Sequence, residues 1–136
     1  MNADFHFDPT LEKLVSIARK DVSLDAMWLY GSRAKGNASQ ISDYDFAVIF
    51  HDRLTDSLKQ RVRPELLAVD WQRALGLPEG KVSVLDLEQA AIPLAMSVLT
   101  SGVLVFNNNP SHELEVTGRI MSKWEIDYQY HYKHYG

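Results

Sequence analysis

A chain of 136 residues, 46% hydrophobic and 24% charged, is long enough for a globular domain with its own core. It has no cysteine, which excludes a disulfide framework, a zinc–thiolate site and a thiol nucleophile. A net charge of −4 leaves no surplus of Lys and Arg to neutralise phosphates, so direct binding of a long nucleic acid is disfavoured and a basic protein partner suits the surface better. Residues 1–8 are polar and acidic, unlike a secretion signal, and no apolar run approaches the roughly 20 residues that span a bilayer. The expectation is one cytoplasmic domain over residues 1–136, without membrane contact.

Asp8-Pro9 has the form of a helix start, and Leu11, Leu14, Val15 and Ala18 then fall at helical spacing up to about Lys20. A short apolar strand, Ala26–Tyr30, leads into Gly31. After a polar loop, residues 37–42, the run Asp43–Phe50 alternates. Asp43, Asp45, Ala47 and Ile49 share one face, and Tyr44, Phe46, Val48 and Phe50 share the other. Such a strand is expected at the centre of a sheet, covered on both sides, with its carboxylates at the exposed end. Leu54–Leu75 reads as helical, with Leu58, Val62, Leu66, Leu67 and Ala74 as its buried stripe and, at Pro64, a kink or the meeting of two helices. Residues 76–80 form a turn. Val82–Leu87 is a strand, Glu88–Thr100 a helix interrupted near Pro93, and Val103–Phe106 a last strand. A final helix runs from about His112 to Lys133, with Trp124, Tyr128, His131 and Tyr135 along one face. Trp124 and Tyr128 suit the core, whereas the tyrosines from Tyr130 to Tyr135 suit a partner surface. His6, His51 and His112 read as isolated surface residues. The fold class is α/β: a small mixed, twisted sheet flanked by helices.

The chemistry concentrates around Gly31-Ser32-Arg33-Ala34-Lys35-Gly36 and Asp43-Tyr44-Asp45. Two carboxylates on one side of a strand end repel, and a cation relieves that repulsion. Mg²⁺ prefers hard oxygen ligands, is commonly held by one or two carboxylates, and takes substrate phosphates for much of the rest. Gly31 permits close backbone approach, and the N–H groups of a strand-to-helix turn favour an anion such as a triphosphate. The plain alternatives are a tight turn at Gly31, a cap at Ser32 and two solvated acids. Arg33 and Lys35 suit phosphate neutralisation, or else a solvated surface. A phosphate cradle beside a carboxylate pair points to nucleotidyl transfer.

Gly31-Ser32, ten residues, then Asp43-Tyr44-Asp45 resembles the signature of the DNA polymerase β-like nucleotidyltransferase superfamily. The small size is similar to its minimal nucleotidyltransferase (MNT) branch, the MntA-type antitoxins that accompany HEPN ribonuclease toxins. The segments around Lys81–Leu87, Ala90–Leu94 and Gly102–Phe106 look like the family's later strand, helix and final strand. The resemblance implies a polymerase β-like fold, Mg²⁺ held by Asp43 and Asp45, ATP bound through Gly31, Ser32, Arg33 and Lys35, and transfer of AMP to a tyrosine of the toxin. Rival readings are a non-catalytic antitoxin that acts by binding, and a small-molecule nucleotidyltransferase of the aminoglycoside type. Superfamily members usually add a third acid on a later strand. At the matching position this chain has Ser83. Asp86 aligns with a second aspartate of the related segments, and its odd spacing from Ser83 places it on the opposite face. Asp86 is therefore either a catalytic residue brought round by a bulge or a cap for the following helix.

Overall fold

A computed structural model describes residues 7–36 and 42–129. The first helix, α1 (Pro9–Lys20), starts where the sequence predicts: the Asp8 side chain accepts a hydrogen bond from Leu11 N at 2.7 Å and Pro9 occupies the first turn. Strand β1 (Leu24–Tyr30) passes at Gly31 into the single helical turn α2 (Ser32–Lys35), and β2 (Tyr44–Phe50) returns beside it. Helix α3 (Ser57–Leu75), β3 (Val82–Asp86), α4 (Ile92–Ser101), β4 (Val103–Asn107) and α5 (Pro110–Lys123) follow, and a π-helical segment, Trp124–Gln129, continues α5.

The four strands form one mixed sheet in the order β3-β2-β1-β4. β1 is antiparallel to β2 and to β4, and β2 is parallel to β3. The alternation along β2 decides what covers each face. Tyr44, Phe46, Val48 and Phe50 pack with Leu11, Leu14, Val15 and Ala18 of α1 and with Ala68 and Trp71 of α3. Ala47 and Ile49 pack on the other face with Ala95 and Val98 of α4 and with Val116 and Ile120 of α5. Phe46 meets Trp71 edge to face, with ring centroids 5.8 Å apart.

Several expectations need correction. The stripe expected to bury α3 faces outward: Leu58 is 64% exposed, Leu66 60%, and Ala74 is exposed as well. Val62 and Leu67 are half-buried. The inward stripe is Gln60, Pro64, Ala68, Trp71 and Gln72. Its glutamines are buried because they serve backbone and side-chain groups of the sheet region. Gln72 Oε1 accepts from Val82 N at 2.9 Å, and Gln60 Nε2 donates to Asp86 Oδ2 at 3.1 Å. The helix runs unbroken through Pro64. Residues 87–91 form turns, so α4 begins at Ile92 with Pro93 in its first turn. His51 and His112 are not isolated, because both bind the buried Asp25: His51 Nδ1 lies 3.0 Å from Oδ1, and His112 Nδ1 lies 2.5 Å from Oδ2. The pairing of β1 with β2 shifts between Leu24 and Ala26, setting Asp25 apart from the ladder. His6, residues 37–41 and Tyr130–Tyr135 lie outside the described residues, as does the side chain of Tyr128, while Trp124 is half-buried.

Candidate active site

Gly31 is the N-cap of α2 with φ +75° and ψ −156°, a backbone region that is open almost only to glycine. A Cβ at this position would lie 2.5 Å from Asp45 Oδ2 and 3.3 Å from Asp45 Cγ. The turn and the carboxylate are thus in direct contact, and this contact puts the glycine and the second aspartate of the motif into one site. Cross-strand pairing builds the rest. Tyr30 of β1 stands opposite Asp45, and Ser83 of β3 pairs with Asp45 on the other side. A row Tyr30–Asp45–Ser83 therefore crosses three strands, with Asp43 one residue before the paired part of β2.

Asp45 is half-buried and Asp43 exposed. Burial pushes the Asp45 carboxyl above its usual range, and the neighbouring Asp43 charge pushes it further. Burial and then the Asp45 charge push the Tyr30 phenol upward. The folded-state pKa of Asp45 is thus raised above its unfolded value. Its contribution to stability is fully present below the unfolded pKa and is lost as pH rises through the folded one. Asp45→Asn should accordingly raise the Tm of the ligand-free protein at neutral pH and leave it nearly unchanged at about pH 4. Melting curves across that range check the expectation.

The four phosphate-side candidates lie together at this end of the sheet, but they are not alike. Ser32 opens α2 and is half-buried. Lys35, at the end of the turn, is exposed. Arg33 is turned inward instead: it pairs with Asp8 at 3.0 Å and donates from Nε and a terminal nitrogen to the Ser42 carbonyl, at 3.1 and 2.7 Å.

Asp86 does not join Asp43 and Asp45. The β2–β3 register is regular, with Ser83 beside Asp45 and Asp86 beside Val48, so no bulge brings Asp86 round. Three residues along a strand separate it from the site by roughly 10 Å, on the opposite face. Asp86 is 3% exposed and is held by Gln60 Nε2 and by Glu88 N, each at 3.1 Å. These are the bonds of a residue that caps the turn after β3. Asp86→Ala would leave the Gln60 amide buried without this partner and should cost about 1–3 kcal/mol of stability. Turnover of the folded variant should match wild type, as paired denaturation and transfer assays would reveal.

The carboxylate pair fits Mg²⁺ by its chemistry. Two hard oxygen donors sit side by side, burial and their repulsion push one of them upward, and the Gly31 turn adjoins them. Among the described residues no cluster of three or more acids or histidines suited to a metal is present. The remaining coordination would thus come from substrate and water. What sequence reasoning missed is the Arg33–Asp8 pairing, because it joins residues of distant elements. The Asp25 cluster left one signal, an acid within the apolar run from Leu24 to Leu29.

Chains of known structure share this fold. A toxin–antitoxin complex solved with AMP-PNP contains a chain with a TM-score of 0.64 and 26% identity, over 84% of this chain and 86% of that one. A chain of an MntA–HepT toxin–antitoxin complex aligns with a TM-score of 0.59 and 22% identity, covering 85% of each. One from a complex of a tri-AMPylated Shewanella oneidensis HEPN toxin with its MNT antitoxin aligns with a TM-score of 0.58 and 22% identity, over 85% of this chain and 87% of that one. No curated protein matches at a significant level. The family model for polymerase beta, nucleotidyltransferase, matches residues 12–111. Most of the chain lies within that match, and the chain belongs to the polymerase β nucleotidyltransferase family.

Proposed function

We propose that this protein is an MNT antitoxin that transfers AMP from ATP to a tyrosine of a cognate HEPN ribonuclease, disarming it within a cytoplasmic hetero-oligomer. The observation that carries the reading is the contact of the Gly31 turn with the Asp45 carboxylate. It sets the backbone assigned to the phosphates against the side chain assigned to the cation, the arrangement that a metal–triphosphate substrate requires. The solved relative with AMP-PNP supports nucleotide binding, and the complex with a tri-AMPylated toxin supports the acceptor class.

In this mechanism Asp43 and Asp45 would hold Mg²⁺, which would supply positive charge to offset that of the triphosphate and of the leaving pyrophosphate. The Gly31–Ser32 backbone and the Ser32 hydroxyl orient the β- and γ-phosphates, and exposed Lys35 adds positive charge. The acceptor hydroxyl oxygen forms a bond to the α-phosphorus while the bond from that phosphorus to the β-bridging oxygen breaks. Positioning supplies much of the rate. Beside Asp45 on β3 stands Ser83 rather than an acid, so the hydroxyl proton passes to solvent instead of to a carboxylate at that position.

Ser83 also favours a second reading, an antitoxin that neutralises its partner by binding alone. Purified chain, its cognate HEPN ribonuclease, ATP and Mg²⁺ separate the two. Intact-mass analysis should reveal the partner heavier by one or more AMP units, with ribonuclease activity lost in step. Neutralisation of an unmodified partner would overturn the enzymatic reading.

A further inference from the structure

Asp43 is the exposed half of the carboxylate pair, and the strand ladder does not hold it. Pairing of β2 with β3 begins at Tyr44, opposite Val82, and pairing with β1 ends at Asp45. An exposed carboxylate just outside a ladder needs another device to keep it aimed at a shared cation. The residues on either side of it supply one. Arg33 donates twice to the Ser42 carbonyl, the carbonyl of the very peptide unit whose nitrogen belongs to Asp43. Its guanidinium carbon lies 3.8 Å from the centre of the Tyr44 ring, and its Nη1 donates to Asp8 Oδ2 at 3.0 Å. The Tyr44 hydroxyl donates to the same Asp8 carboxylate, 2.9 and 3.1 Å from its two oxygens. Asp8 in turn caps α1, which is packed on the sheet. The Arg33 side chain is only 11% exposed.

We propose that Arg33, with Tyr44 and Asp8, is a positioning residue for the cation site and not a phosphate ligand: it clamps the backbone on both sides of Asp43 and so fixes the direction of that carboxylate. This rests on the reading of Asp43 and Asp45 as the cation-binding pair.

The sign of one measurement separates clamp from charge. Arg33 is a fixed positive charge close to the pair, so by electrostatics alone its removal should tighten cation binding. Loss of a clamp should weaken it. Mn²⁺ binding to the purified chain, followed by the loss of the free-ion EPR signal, supplies the readout in the presence of AMP-PNP. Arg33→Ala should bind Mn²⁺ about 10–100-fold more weakly, the range for losing an outer-shell partner. Arg33→Lys should recover only part of the loss, since an ammonium can pair with Asp8 but lacks the planar fork that grips the Ser42 carbonyl. Tyr44→Phe keeps the ring beneath Arg33 and loses only the hydroxyl bonds to Asp8. It should fold, and should shift Mn²⁺ binding in the same direction by a smaller factor. AMP-PNP binding without metal should stay within about twofold of wild type for each variant, because the clamp touches no phosphate.

Unchanged or tighter Mn²⁺ binding in Arg33→Ala, or in Tyr44→Phe if the alanine variant does not fold, overturns the clamp. So does a tenfold loss of metal-free AMP-PNP binding, which would make Arg33 a phosphate ligand. Wild-type protein that binds no Mn²⁺ even with AMP-PNP would overturn the cation-site reading itself, and the clamp with it.

Discussion

Replacing Asp43 and Asp45 together by asparagine should abolish AMP transfer, a loss of at least about 10³-fold, as when a group that stabilises developing charge is removed. The same change should leave the fold intact. Asparagine has nearly the shape of aspartate, Asp43 is exposed, and Asp45 is only half-buried. What disappears is the negative charge that recruits the cation. Burial and mutual repulsion disfavour the charged form of Asp45, so the ligand-free double variant should melt no lower than wild type at neutral pH. Initial rates with labelled ATP, alongside a thermal melt, test both halves. Transfer above a tenth of the wild-type rate in a folded double variant would refute the metal assignment.

Gly31→Val should be nearly as damaging, for a different reason. Valine at φ +75° and ψ −156° is strained by about 1–3 kcal/mol. Its Cβ would also stand 2.5 Å from the Asp45 carboxylate oxygen, so the acid, the turn or both must move. Overpacking of this kind costs about another 1–3 kcal/mol. Stability should therefore drop by about 2–6 kcal/mol, and ATP binding should weaken by more than the roughly tenfold that loss of the Ser32 hydroxyl would cause. Isothermal titration with AMP-PNP at a temperature where both proteins are folded gives the comparison. Equal affinities would remove Gly31 from the phosphate site.

Much of this arrangement was legible in the chain because it is local. The start of α1 at Asp8-Pro9, the alternation along β2 and the turn at Gly31 each follow from a few adjacent residues. α3 was misread because it carries apolar residues on both sides. Periodicity chose Leu58 and Leu66, whereas burial went to a stripe whose glutamines find their partners in Val82 N and Asp86 Oδ2. Those partners lie at the two ends of β3, and no spacing within the helix reveals them. Asp86 shows the same limit: whether a bulge carries it toward Asp45 depends on how β3 pairs with β2, and the regular register keeps it apart. The sequence suggests Arg33 as a phosphate neutraliser, or else a solvated cation, because its partners, Asp8 and Tyr44, come together only after α1 has docked on the sheet.

The order β3-β2-β1-β4 places both halves of the site on the two inner strands of the sheet. Inner strands whose residues are buried on both faces are among the last parts of a protein to open in hydrogen exchange. The turn at Gly31 and the carboxylate of Asp45 therefore cannot part without disrupting the centre of the molecule. A ligand that grips both should slow amide exchange along the rest of the strand, Phe46–Phe50, as well as at the site itself. At a concentration of 100 times its Kd, such a ligand adds about 2.7 kcal/mol to the free energy of opening. Occupancy of the site is thereby coupled to the survival of the whole fold.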